Sequence, residues 1–243
     1  MGLHLIIGNK NYSSWSLRPW LAMKVAGIAF AETVISLDAP DFEARVTALS
    51  GAGKVPVLVD GDIRVWESLA ILEYLADRFP ANALWPRDAQ ARAHARATAS
   101  EMHAGFAALR RQLPMNIRRP VQPHAVEDDA RRDIARIDAL WGECRARFGT
   151  EGPFLYGAFG AADAMYAPVV WRFHTYAVEV SAIARAYMRA HVSPGMERVA
   201  RCGAARALGA AAQRDRLIEP AAVMSCPDET RVRAAAAADS RES

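Results

Sequence analysis

Three serines stand close together at positions 13, 14 and 16, directly after the apolar strand that residues 3–7 predict. Serine is a preferred N-cap residue, so the pattern predicts a helix that begins between Ser14 and Leu17. A hydroxyl and unused backbone N–H groups at the positive end of a helix dipole would stabilise a thiolate or another small anion. An ordinary serine cap gives the same pattern, and the serines alone leave both interpretations open.

A second possible anion site follows a predicted hairpin. The run Val55–Val59 is rich in β-branched residues, Asp60-Gly61 is a turn signal, and Ile63–Trp66 reads as the returning strand. Apolar residues then recur at helical spacing, which puts Glu67 and Ser68 at the mouth of a second helix. A plain serine cap beside an acidic residue favoured by the helix dipole explains this pair equally well.

The proline at position 56 stands at the start of the predicted hairpin, after a loop that contains Gly51 and Gly53. It is either an ordinary strand-edge proline or a cis-proline that turns a backbone edge toward a ligand. Sequence alone favours the trans form, because trans is the commoner state of X–Pro bonds.

Composition limits the classes of function. The 243 residues carry a net charge of only +3, a surplus too small to indicate a nucleic-acid partner. No apolar run approaches 18 residues and no leader pattern is present, so we expect neither a membrane partner nor export, and a cytoplasmic location. Cys144, Cys202 and Cys226 lack CxxC spacing, which argues against a metal site and against thioredoxin-type exchange.

The chain is expected to divide near Pro80 into a first domain, residues 1–80, and a helical second domain, residues 88–192. Helices are predicted over 88–112, 125–148, 162–179 and 181–192. The segment 193–243 is rich in Ala and Arg and has no aromatic residue, so we expect it to bury little surface. Its last twenty or so residues are expected to be disordered.

Four motifs, in this order and spacing, carry a family resemblance: SSWSLRPW, KVPVL, WESLAILEYLA and GAFGAADAMYAPVV. Over about residues 3–190 the chain resembles the cytosolic glutathione transferases, in particular the zeta class of maleylacetoacetate isomerase relatives and related bacterial proteins. The resemblance implies an α/β, thioredoxin-like N-terminal domain followed by an all-α domain. The chain departs from the family at Gly160, where a Ser or Thr usually caps a central helix with Asp163 as its partner.

The resemblance implies an enzyme that activates the thiol of glutathione. It assigns the sulfur contact to Ser13, five residues before Arg18, with Ser14 and Trp15 as near neighbours. Ser13 would donate a hydrogen bond to the thiolate. No metal is required, and glutathione would act as cosubstrate.

The rest of the implied glutathione site comes from the hairpin and the helix after it. Val55, before Pro56, would pair its backbone with the cysteinyl unit, and Lys54 would meet the glycine carboxylate, although a solvated surface lysine is an equal alternative. The Glu67 carboxylate would bind the γ-glutamyl ammonium, and Ser68 the γ-glutamyl carboxylate.

For the second, electrophilic substrate, an apolar pocket would lie between Trp15 and the second domain, with Met102, Phe106 and Met115 as candidates. His103, His124 and His174 are expected to be structural or surface residues. By resemblance the protein is a detoxification enzyme and a homodimer, with a contact across residues 91–113 that includes Phe106, Leu109 and Arg110. Two other functions stay open: a binding or regulatory protein without turnover, and a glutathione-dependent cis-trans isomerase.

Overall fold

The first domain is built on a four-stranded mixed sheet. The computed structural model describes residues 2–205. The strands are β1 (Leu3–Ile7), β2 (Phe30–Val34), β3 (Val57–Asp60) and β4 (Ile63–Trp66), in the order β2-β1-β3-β4. Strand β2 runs parallel to β1, whereas β3 is antiparallel to both β1 and β4. Three helices accompany the sheet: α1 (Ser14–Ala26), α2 (Phe42–Ser50) and α3 (Ser68–Arg78).

Side chains of β1 alternate between two apolar layers because successive residues of a strand point to opposite faces. Leu5 and Ile7 join the main core with residues of α1 and α3. Ile6 joins a smaller cluster with Val46 of α2 and Val57 of β3. The sheet is therefore covered on both faces, and α1 begins directly behind the end of β1.

The second domain is helical in the residues that the structure describes. Its helices are α4 (Ala89–Ala104), α5 (Ala107–Gln112), α6 (Asp128–Phe148), α7 (Ala161–Thr175), α8 (Ala182–His191) and α9 (Pro194–Ala205). Helix α7 is central, since every one of its side chains except His174 is buried. This thioredoxin-like α/β domain followed by an all-helical domain confirms the expected fold class.

Two predicted helices differ from the observed ones. The helix expected over 88–112 is broken at Gly105 and Phe106, where the backbone is first extended and then left-handed, with φ of 59° at Phe106. A Cβ at Gly105 would lie 2.8 Å from the Glu101 carbonyl oxygen, so glycine permits this close approach. The helix expected over 162–179 ends at Thr175, and Ala177 follows with a positive φ of 49°.

The start of α7 explains the departure from the family pattern at Gly160. The Asp163 carboxylate accepts the N–H groups of Gly160 at 2.9 Å and Leu155 at 3.0 Å. A Cβ at Gly160 would lie 2.8 Å from the backbone oxygen of Leu84. That oxygen also accepts the N–H of Ala161 at 2.7 Å. Glycine therefore fits here because the chain at Leu84 occupies the space of a capping side chain.

The segment after residue 193 differs from expectation where it is described. Helix α9 packs against α1 and α8, and its Val199 and Ala200 belong to the main core. The segment lacks aromatic residues, but Val199 and Ala200, with Met196 packed against the same core, give it an apolar helical face. The disorder expected for the last twenty or so residues concerns a stretch outside the described part of the chain.

The face predicted for a dimer contact is also different. Leu109 is fully buried and Phe106 is 7% exposed within the single chain, because both side chains pack into its own core. These two apolar side chains therefore do not form the exposed face that the sequence analysis assigned to a partner subunit. Within residues 2–205, no helix is long and apolar enough to cross a membrane.

Candidate functional site

A cavity of about 230 Å³ opens where the two domains meet. Six of its lining residues belong to the first domain and two to the second: Trp15, Lys54, Val55, Pro56, Trp66 and Glu67, with His103 and Arg110. Five of the first six were assigned to glutathione from the sequence. The cavity thus brings together the start of α1, the loop before β3, the junction of β4 and α3, the end of α4 and α5.

The loop before β3 contributes both backbone peptide groups and a charged side chain to the cavity wall. The β1–β3 ladder begins at Val57, so the peptide groups of Val55 lie ahead of the sheet on the cavity wall. The Val55–Pro56 peptide bond is cis. The trans form that the sequence favoured is therefore wrong. Lys54 is exposed at the same wall.

Glu67 holds an unusual backbone conformation between β4 and α3. Its φ of 69° and ψ of 131° lie in a region that residues with a side chain rarely adopt, at a cost of about 1–3 kcal/mol. The conformation places the half-exposed carboxylate at the cavity, where one oxygen lies 3.8 Å from His103 Nε2. The geometry fits a carboxylate offered to a ligand cation.

Ser68 is the first residue of α3 and is fully buried. Its hydroxyl donates to the Trp15 carbonyl oxygen at 2.7 Å, which links the starts of α1 and α3. The side chain is therefore engaged in the fold and does not line the cavity. Its backbone N–H, in the first turn of the helix, belongs to the donors that a helix does not use internally.

Guanidinium groups surround Trp15. The Arg18 guanidinium carbon lies 4.2 Å from the centre of the Trp15 ring and that of Arg110 lies 5.4 Å from it. Arg18 is fully buried; its Nε donates to the Met165 carbonyl oxygen at 2.9 Å, but both Nη atoms lack a hydrogen-bond partner among the described residues. Burial lowers the pKa of Arg18 well below its ordinary value, and the charges of Arg172 and Arg110 act in the same direction.

The three serines have different surroundings. Ser13 caps α1 and donates its hydroxyl to Ser16 Oγ at 2.9 Å. Ser14 Oγ accepts a hydrogen bond from Arg172 Nη2 at 2.8 Å. Burial lowers the pKa of Arg172 to about 10, which leaves it protonated at neutral pH. Both Ser13 and Ser14 are buried beside Trp15, and neither belongs to the residues that line the cavity.

The candidates for the second substrate lie elsewhere. Met102, Phe106 and Met115 are buried in the main core and are not among the cavity-lining residues. Sequence reasoning missed three residues that do line it: Trp66, His103 and Arg110. His103 lies in the last turn of α4 and Arg110 in α5, so both reach the cavity because the chain breaks between the two helices, and their spacing along the sequence gives no signal of this. Among the side chains that the structure describes, no group of His, Cys, Asp and Glu is arranged to hold a metal ion.

Comparison with known proteins agrees with this architecture. The family model for the glutathione S-transferase N-terminal domain matches residues 12–78, and that for the C-terminal domain matches residues 125–198. Together they match more than half of the chain.

Curated relatives cover shorter stretches. "Glutathione S-transferase 1" of Dianthus caryophyllus is 39% identical over 33% of this chain and 37% of its own length. "Probable maleylacetoacetate isomerase" of Caenorhabditis elegans is 35% identical over 38% of this chain and 42% of its own length. The chain thus spans about two-fifths of the length of these relatives.

The fold similarity extends further. The glutathione-bound structure of a theta class glutathione S-transferase from Xanthomonas axonopodis pv. citri superimposes with a TM-score of 0.59 at 22% identity. The superposition covers 84% of this chain and 97% of that one. With both domain models matched in order and the whole two-domain fold shared, the chain belongs to the glutathione S-transferase superfamily.

Proposed function

We propose that this protein is a glutathione S-transferase that binds glutathione in the cavity between its domains and activates the thiol for attack on a small electrophile. The observation that carries the proposal is the convergence on one cavity of a carboxylate, a backbone edge, cationic side chains and the start of α1. Glutathione carries one ammonium, two carboxylates and a thiol, so each of these features has a counterpart in the ligand.

The polar ends of the ligand match the polar ends of the cavity. The Glu67 carboxylate binds the γ-glutamyl ammonium, and the N–H of Ser68 binds the adjacent carboxylate at the positive end of α3. Lys54 meets the glycine carboxylate. The peptide groups of Val55 pair with the cysteinyl unit as a strand edge pairs with an added strand. This orientation directs the sulfur toward the start of α1.

Activation of the thiol requires only electrostatic stabilisation of the thiolate. Lowering the pKa of the glutathione thiol by two units corresponds to about 2.7 kcal/mol. A charge-assisted hydrogen bond and a helix N-terminus together contribute this amount. The thiol proton leaves to solvent. The thiolate then donates an electron pair to the electrophilic carbon. In a substitution the leaving group departs with the bonding pair, and in an addition to an activated double bond the resulting carbanion takes a proton from solvent.

A titration with matched ligands tests the binding step. Calorimetry should give the same affinity for glutathione and for γ-glutamyl-alanyl-glycine to within a few-fold, because the analogue lacks only the sulfur. Glu67→Gln should raise Kd at least tenfold for both, since it removes a charge-assisted contact of about 1.5–3 kcal/mol. Glu43→Gln removes an exposed carboxylate of α2, outside the cavity, and serves as the control. Equal Kd values in the two variants would refute the assignment.

Turnover separates the remaining possibilities. Glutathione conjugation of small electrophiles supports the transferase, whereas conversion of a maleyl-type cis-alkene acid to its trans form without net consumption of glutathione indicates an isomerase. Binding without turnover over a broad panel indicates a regulatory protein. We propose in addition that the protein forms a homodimer, which light scattering on the full chain tests directly.

A further inference from the structure

The hydroxyl hydrogen of Ser13 is engaged within the fold. Ser13 Oγ donates to Ser16 Oγ at 2.9 Å, and Ser16 Oγ accepts the N–H of Gly8 at 3.0 Å. These bonds tie the first turn of α1 to the residue that follows β1. A serine hydroxyl has a single hydrogen, so in this arrangement Ser13 has none left to donate to a ligand.

The hydroxyl of Ser14, in contrast, accepts a hydrogen bond within the fold and keeps its own hydrogen available. Its oxygen accepts from Arg172 Nη2 at 2.8 Å, and its own hydrogen is donated to no residue of the described chain. Two backbone carbonyl oxygens hold the arginine in place: Leu113 accepts from Nε at 2.7 Å and Pro168 accepts from Nη1 at 3.1 Å. A charged donor on the oxygen strengthens the hydroxyl as a donor through its remaining hydrogen.

The surroundings favour a negative charge at this point. Arg18 and Arg172 are buried, and neither pairs with a carboxylate among the described residues. Arg110, which lines the cavity, adds a third positive charge close enough to lower the pKa of both. Buried charges without counter-charges are costly. A thiolate at the first turn of α1, beside the cavity-lining Trp15, would supply the missing negative charge.

We propose that Ser14, held by Arg172, is the hydroxyl that donates to the glutathione sulfur, that Arg172 is a positioning residue, and that Ser13 is a structural cap. The inference rests on the proposed function and changes the serine that the family resemblance assigns. No proton is transferred to or from Ser14. Arg172 occupies the oxygen of Ser14 and so leaves the O–H directed at the ligand, while the thiol proton goes to solvent.

The test is the pKa of the bound thiol, measured from the ultraviolet absorbance of the thiolate as a function of pH in the complex with glutathione. Ser14→Ala should raise this pKa by about one unit or more, a tenfold decrease in the ratio of thiolate to thiol at a given pH, with little change in Kd. Ser13→Ala should leave the thiol pKa unchanged and lower the melting temperature, because it removes an N-cap.

Arg172 is tested with two substitutions. Arg172→Met should raise the thiol pKa, and Arg172→Gln, which retains an N–H donor, should restore part of the shift. Arg136→Met removes an exposed guanidinium that pairs with Glu101 and controls for a general loss of charge. If Arg172→Met does not fold, the comparison of Ser13→Ala with Ser14→Ala still decides which serine meets the sulfur.

Two outcomes would overturn the inference: an unchanged thiol pKa in folded Ser14→Ala, whatever Ser13→Ala shows, or a wild-type thiol pKa in folded Arg172→Met. Failure of the wild-type protein to bind glutathione is a separate result, visible in its Kd. It would refute the proposed function itself.

Discussion

Restoring the family's capping residue at Gly160 should destabilise this protein. At an ordinary N-cap, serine is slightly better than glycine, by a few tenths of a kcal/mol. Here a Cβ would lie 2.8 Å from the Leu84 backbone oxygen, which is itself fixed by the N–H of Ala161. Overpacking against backbone costs about 1–3 kcal/mol. For a chain of this size each kcal/mol lowers the melting temperature by about 2–4 °C. Gly160→Ser should therefore melt about 2–12 °C below the wild type.

Calorimetric melting of matched variants tests the reasoning. Gly160→Ala adds the same Cβ without a hydroxyl and should also be destabilised. Gly142→Ala is the control, because a Cβ there meets nothing within 4 Å and alanine is the better helix former by about 1 kcal/mol. We expect its melting temperature to rise. A Gly160→Ser protein as stable as the wild type would show that the Leu84 segment moves aside, and the steric explanation would then be wrong.

Three further outcomes are expected. Burial lowers the pKa of His191 to about 3, so the unfolded chain takes up a proton below pH 6.5 that the folded chain does not. Stability should fall as pH decreases from 6.5 toward 3, and urea unfolding should show a smaller decrease in His191→Gln. Glu67→Gly should melt no lower than the wild type, because glycine relieves the positive φ, yet bind glutathione more weakly. Lys54→Gln should weaken glutathione binding several-fold in dilute buffer, and calorimetry in about 1 M salt should show little remaining difference.

Local signals predicted much of the architecture. The serine cap, the Asp60-Gly61 turn and the start of α3 at Ser68 all depend on neighbouring residues, and the structure has them where the sequence indicates. The break at Gly105 was missed although its close contact, with the Glu101 carbonyl oxygen, is local, because a glycine inside a helical pattern is compatible with a continued helix as well as with a helix end. The position of Arg110 in the cavity wall depends in turn on that break, since it orients α5.

Local sequence signals also identified some residues of the candidate site and missed others. Residues next to a strand end or a helix start, such as Trp15 and Glu67, were assigned from sequence and do line the cavity. The hydrogen-bond partners of the serine hydroxyls were not assigned from sequence, because Arg172 reaches Ser14 from a helix more than 150 residues away along the chain. Sequence spacing contains no information about such contacts between domains.

Reciprocal arginine hydrogen bonds connect helices α1 and α7. Arg18 of α1 donates to the Met165 carbonyl oxygen of α7, and Arg172 of α7 donates to the Ser14 hydroxyl oxygen of α1. Separating the two domains would break both bonds at once and open an apolar contact between the helices. Unfolding of either domain alone would therefore also cost the free energy of the contacts between the domains, so the chain should unfold in one cooperative step. An isolated thioredoxin-like domain cut from this protein would keep Arg18 but lose its carbonyl partner. Such a fragment should aggregate or stay unfolded, because it would expose a buried guanidinium together with the apolar surface that α7 covers.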